Sequence, residues 1–126
     1  MTGVPATALY AGLLGLLAVG LANQVLYARL RARVLPDWKQ ETVLRVQANF
    51  VENMPLAIVL LLVLELQGAA APLVHAVGAT LVLCRVLHAW GMSRNPGANY
   101  PRLIGAQGTF LLISVMSVAA IYGSIG

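Results

Sequence analysis

The sequence predicts an all-α transmembrane four-helix bundle, and three observations lead there. Four apolar stretches, about 4–28, 43–66, 72–93 and 102–124, each reach the ~20 residues needed to cross a ~30 Å hydrocarbon core. Of the 126 residues, 60% are hydrophobic and 10% charged, with mean hydropathy +0.82. A soluble domain carries roughly 25% charged residues, so this chain cannot cover a water-facing surface. The third observation is that all 8 Lys and Arg belong to one side of the bundle. Residues 1–126 form a single membrane domain.

The first stretch, Val4 to Ala28, has no basic residue before it and is too long for the apolar region of a signal peptide. It ends in arginines, as a retained membrane helix does. Gly12, Gly15 and Gly20 within it suit close helix packing. The connection RLRARVLPDWKQE (29–41) holds most of the charge outside the spans. The second stretch opens on RVQANFVENMP (45–55) and runs into LAIVLLLVL. Pro55 removes a backbone donor there and is expected to kink the helix. Only QGAAAP (67–72) separates the second stretch from the third, so these two form a tight antiparallel hairpin. The fourth, from Leu103 onward, carries no charge.

Orientation follows from the basic residues. Arg29, Arg31, Arg33 and Lys39 lie in the first connection, and Arg94 and Arg102 in or beside the third. Arg45 and Arg85 sit inside helices near those same ends. The positive-inside rule makes that side cytoplasmic and places both termini outside. The net charge of +4 is thus sorted by membrane side and is not a nucleic-acid-binding patch. The single cysteine, Cys84, excludes an intramolecular disulfide and reads as an inert packed thiol. Trp38 and Tyr100 fall at the expected membrane–water boundary. His75 and Glu65 fall at the outer ends of their helices, at the far head groups.

Arg45, Asn49 and Glu52 are spaced i, i+4, i+7, which at ~100° per residue puts them within ~60° on one helix face. A charged stripe entering a membrane helix marks a functional site by default. Arg45 is shallow enough to snorkel to the head groups. Glu52 lies ~10 Å deeper at 1.5 Å per residue, so it is expected to pair inside the bundle, with Arg85 as the partner. That pair reads either as glue between helices or as part of a site. Arg85 and His88, at i and i+3, share one face. Asn23 and Gln24 are open to either helix–helix hydrogen bonds or ligand contact. No metal-ligand spacing, nucleophile triad or phosphate loop is present. Several arginines with an amide and a carboxylate suit a small polar anion that also carries an amine, such as a tripeptide with two carboxylates.

RVQANFVENMP resembles the R-A-x-x-N-x-x-E-x-x-P signature of the MAPEG family, membrane-associated proteins in eicosanoid and glutathione metabolism. Val46 stands for the common alanine, while Arg45, Asn49, Glu52 and Pro55 all match. RVLHAWGMSR (85–94) is similar to the family's third-helix segment, and ARLR (28–31) to the end of its first helix. The likeness covers essentially the whole chain, and its short loops suit the bacterial branch and hence an inner-membrane location. It implies a homotrimer that binds glutathione between subunits at the cytoplasmic end. It implies that Arg45, Asn49 and Glu52 contact glutathione, with Arg29, Arg85 and His88 assisting. It assigns thiol activation to Arg102, because a nearby guanidinium favours thiolate over thiol. The second substrate would be an apolar electrophile or hydroperoxide from the lipid. Met92 departs from the pattern, standing where these synthases usually carry a tyrosine. The function implied is a glutathione-dependent membrane transferase or peroxidase. The alternative is a non-catalytic trimeric scaffold or lipid-binding protein that keeps the same polar core. A small transporter fits least, since the outer halves of the helices offer no polar path beyond Glu65 and His75 and show no paired broken helices.

Overall fold

A computed structural model describes residues 3–94 and 99–126. The third connection, expected around 95–101, therefore lies largely outside the described residues. Four helices follow in order: α1 (Pro5–Leu30), α2 (Asp37–Leu66), α3 (Ala71–Arg94) and α4 (Tyr100–Ile125). Each is long and apolar enough to cross a membrane.

The helices start and stop for local reasons. Pro5 opens α1, where its missing N–H is no loss. Pro36 precedes α2, and Asp37 complements the positive end of the helix dipole. α2 therefore begins six residues before the apolar stretch (43 − 37 = 6). Its polar first turns lie outside the apolar core, and Arg45 is farther from the helix start than the apolar pattern indicates. Pro55 lies within α2, which continues past it to Leu66. At the other end Gly68 takes φ 90°, the left-handed conformation suited to glycine. There Gly68 N–H donates to Glu65 O at 3.1 Å and Ala69 N–H to Leu64 O at 3.0 Å, closing the helix with the paired bonds of a Schellman turn.

α2 and α3 form the middle of the bundle. α1 packs on both, and α4 packs on both from the other side. Among the described residues α1 and α4 do not touch. The core is apolar, with Leu14, Phe50, Met54, Leu61 and Leu81 buried. The outward faces are apolar as well: Leu16, Leu111 and Val118 are exposed, as lipid-facing residues should be.

Close approach comes from different glycines than the sequence suggests. A Cβ at Gly12, Gly15 or Gly20 would meet nothing, so these do not mediate packing within the protomer. A Cβ at Gly78 would strike the Tyr10 ring, and one at Gly105 would lie 2.5 Å from the Cys84 carbonyl oxygen. Gly105 thus lets α4 press its backbone onto α3. Asn23 and Gln24 are exposed and make no cross-helix hydrogen bond among the described residues. Cys84 is buried, as expected.

The far end carries its own polar set. Glu65, expected only to reach the head groups, instead accepts the N–H groups of Ala6 (3.2 Å) and Thr7 (2.8 Å). It caps α1 from a neighbouring helix, satisfying two donors a membrane helix otherwise leaves open. His75 Nδ1 shares a 2.9 Å hydrogen bond with the Tyr10 hydroxyl.

Adding a β-branched side chain at Gly105 forces α4 away from α3. Gly105→Val is expected to cost about 1–3 kcal/mol or more, read as a lower melting temperature of the detergent-purified protein. An unchanged melting temperature would contradict the α3–α4 contact described here.

Candidate functional site

The polar residues singled out by spacing come from three helices that converge at the basic end. α2 supplies Arg45, Asn49 and Glu52; α3 supplies Arg85, His88 and Met92; α4 supplies Arg102. Asn99 sets the last of these. Its Oδ1 caps α4 by accepting the Arg102 N–H at 2.9 Å, and its Nδ2 donates to the Gly91 carbonyl at 2.8 Å. One amide thus fixes the start of α4 against α3 and sets Arg102 beside His88. A Cβ at Gly91 would lie 2.6 Å from the Asn99 Oδ1, so only glycine admits this contact.

Arg85 is the centre of the cluster and is only 2% exposed. Its Nη2 donates to Asn49 Oδ1 at 2.6 Å and faces His88 Nδ1 at 3.4 Å. Its Nη1 donates to Thr109 Oγ1 at 3.2 Å, and the guanidinium carbon sits 6.0 Å from the Phe50 ring centroid. One cation therefore ties α2, α3 and α4 together. Thr109 reaches it while donating its own proton to the Gly105 carbonyl at 2.8 Å. Nε is buried without a hydrogen-bond partner.

The expected Glu52–Arg85 pair does not form. Asn49, three residues earlier on α2, takes the guanidinium instead, and Glu52 is exposed. Among the described residues no ion pair engages Glu52 or Arg85. Arg85 is held by neutral acceptors alone. Burying a guanidinium this way costs several kcal/mol unless its donors are satisfied, which makes the Asn49 and Thr109 bonds structurally necessary.

In front of this cluster opens a pocket of about 280 Å³ lined by Arg45, Ala48, Asn49, Glu52, His88, Met92 and Arg102. Five of the seven residues singled out from sequence line it, and Arg85 stands behind it, holding Asn49 and His88. Arg29 does not join within the protomer; it lines a separate concavity formed by residues 29–34. Arg45 Nη2 pairs with Glu41 Oε1 at 2.7 Å, with both side chains more than half exposed. An exposed i,i+4 pair is worth only about 0.3–0.5 kcal/mol, so a ligand carboxylate can displace Glu41. Because His88 Nδ1 faces a guanidinium donor, its proton belongs on Nε2, making the ring a hydrogen-bond donor away from Arg85. Met92 is buried in the wall and offers a thioether where a hydroxyl would donate.

Spacing did not reveal Thr109 or Asn99. Thr109 belongs to a small-residue run, GAQGT, which signals close helix approach. Asn99 precedes Tyr-Pro, a helix-start pattern.

The MAPEG family profile matches residues 7–122. The chain is 35% identical over 89 residues to "Inner membrane protein YecN" of Escherichia coli K12, covering 68% of each chain. The protein of the same name from Escherichia coli O6:H1 matches to the same extent. No solved structure matches.

The Arg85–Asn49 bond can be tested in isolation. Asn49→Leu leaves a buried donor unmet and is expected to destabilise the protein by about 1–3 kcal/mol. Arg85→Leu combined with Asn49→Leu should recover part of that loss, because both partners go together. Strictly additive losses in a thermal double-mutant cycle would rule the coupling out.

Proposed function

The chain is an integral membrane protein of the MAPEG family, and from that premise we propose that it is a glutathione-dependent transferase or peroxidase. The observation that carries this reading is the donor set of the pocket. Two guanidiniums, one carboxylate, an amide and an imidazole line about 280 Å³. Glutathione presents two carboxylates, one ammonium and two peptide groups. Arg45 and Arg102 match the carboxylates or the thiolate, Glu52 the ammonium, and Asn49 and His88 the peptide groups. Glu52 is exposed and has no partner among the described residues, which is what an ammonium ligand requires.

Bound glutathione supplies a thiol that can attack an apolar electrophile or a hydroperoxide. Arg102, at the start of α4, is the residue assigned to favour its thiolate form by charge. Arg85 acts through others: it orients the Asn49 amide and keeps His88 a donor. The second substrate enters from the lipid, across the exposed apolar faces. The assembly proposed is a homotrimer in the bacterial inner membrane with both termini outside, its sites between subunits, where Arg29 of a neighbouring protomer can reach the pocket.

A second reading has two observations in its favour. Arg85 ties three helices together, and Met92 removes a donor from the pocket wall. Both suit a non-catalytic trimeric scaffold or lipid-binding protein that keeps the family's polar core.

Calorimetric titration of the purified protein with glutathione separates the two. Arg45→Ala and Glu52→Ala should each weaken binding roughly 10- to 100-fold, the value of a charged hydrogen bond. Glu41→Gln should tighten it, because Arg45 no longer has a competing carboxylate. Undiminished affinity in both alanine variants would refute the assignment. Arg102→Ala should lower turnover with a model electrophile by about two orders of magnitude while the protein stays folded. Unchanged turnover would remove Arg102 from that role.

A further inference from the structure

The turn that follows α1 carries three arginines in five residues, Arg29, Arg31 and Arg33, and its curl encloses a concavity of about 250 Å³ lined by residues 29–34. Among the described residues none of the three forms an ion pair with a carboxylate. Arg31 instead lies over the Tyr27 ring, 5.7 Å from its centroid. The turn's shape is set by its own backbone: Val34 N–H and Leu35 N–H both donate to the Arg31 carbonyl at 3.0 Å. The cations are therefore presented on a fixed frame, and Arg29 adds its charge at the negative end of the α1 dipole.

Apolar side chains surround this basic cup. Leu26, Tyr27, Leu30 and Val34 are all exposed, with Leu30 at 77% and Val34 at 71%. Trp38, an interfacial residue type, stands just beyond. Unpaired guanidiniums beside exposed leucine and valine, at the depth where a helix leaves the membrane, match a ligand with an anionic head and an apolar tail.

We propose that residues 29–34 form a binding site for one anionic phospholipid of the leaflet on the basic side. Arg31 and Arg33 hold the phosphate, and the chain lies along Leu26 and Leu30. Guanidinium pairs suit phosphate oxygens because their N–H groups form parallel bonds. A free phosphate shares the head-group chemistry but leaves the apolar shelf uncovered, so the lipid is the occupant favoured. The two phosphate ligands, Arg31 and Arg33, take no part in the pocket of Arg45 and Arg102, so the proposal does not depend on the reading of that pocket; Arg29 is the one residue that both readings use.

Native mass spectrometry of the full chain, released from mixed micelles containing phosphatidylglycerol or phosphatidylcholine, tests this. The wild type should retain phosphatidylglycerol in preference to phosphatidylcholine. The double variant Arg31→Gln with Arg33→Gln should lose about thirtyfold in affinity, from two interfacial charges. Lys39→Gln, which removes one charge outside the concavity, should retain it. Leu30→Asn should weaken lipid retention with every arginine in place, giving a second variant that leaves the charge untouched. Millimolar inorganic phosphate and glutathione should not displace the lipid. Equal retention of both lipids, an unaffected double variant, an equal loss in Lys39→Gln, or displacement by inorganic phosphate would each overturn the proposal.

Discussion

The basic end of this bundle is organised by one buried guanidinium without a carboxylate. Arg85 is not neutralised by Glu52, the carboxylate expected to pair with it. Instead it is held by Asn49, Thr109 and the His88 ring, all neutral acceptors. Two consequences follow. The helices α2, α3 and α4 are locked to one another through a single side chain, so their relative positions at this end are fixed. Glu52 is left facing the pocket, able to receive a cation from outside the protein.

That arrangement separates support from contact. Arg85 and Thr109 sit behind the pocket, while Arg45, Glu52 and Arg102 line it. A buried polar network is costly unless it is well satisfied, and here its position matters more than its strength. It orients an amide and an imidazole that would otherwise rotate. The glycines at 91 and 105 serve the same end, because they let α4 come close enough for Thr109 to reach Arg85 and for Asn99 to fix Arg102.

Much of this was legible in the sequence. Four apolar stretches gave four helices, and the i, i+4, i+7 spacing placed Arg45, Asn49 and Glu52 on one pocket wall. The partner of Arg85 was not legible, because depth along a helix does not say which of two residues on the same face lies nearer. Asn49 and Glu52 differ by less than one turn, and the crossing of α2 and α3 decides between them. The role of Glu65 is hidden from the sequence for a related reason: capping α1 requires knowing that the two helix ends meet. The glycines of α1 look like a contact stripe but face open space, whereas those of α3 and α4 form the contacts. Spacing identifies a face, and only the fold identifies what it meets.

We propose that the polar cluster is a glutathione site rather than a knot between helices. The direct test is the melting temperature of the detergent-purified protein with increasing glutathione, with an S-alkylated glutathione as a second ligand. A ligand that binds only the folded state raises stability with concentration, so a rise with both compounds is expected. A well-folded protein whose melting temperature ignores both ligands at millimolar concentration would show that the cluster serves only to hold the helices together.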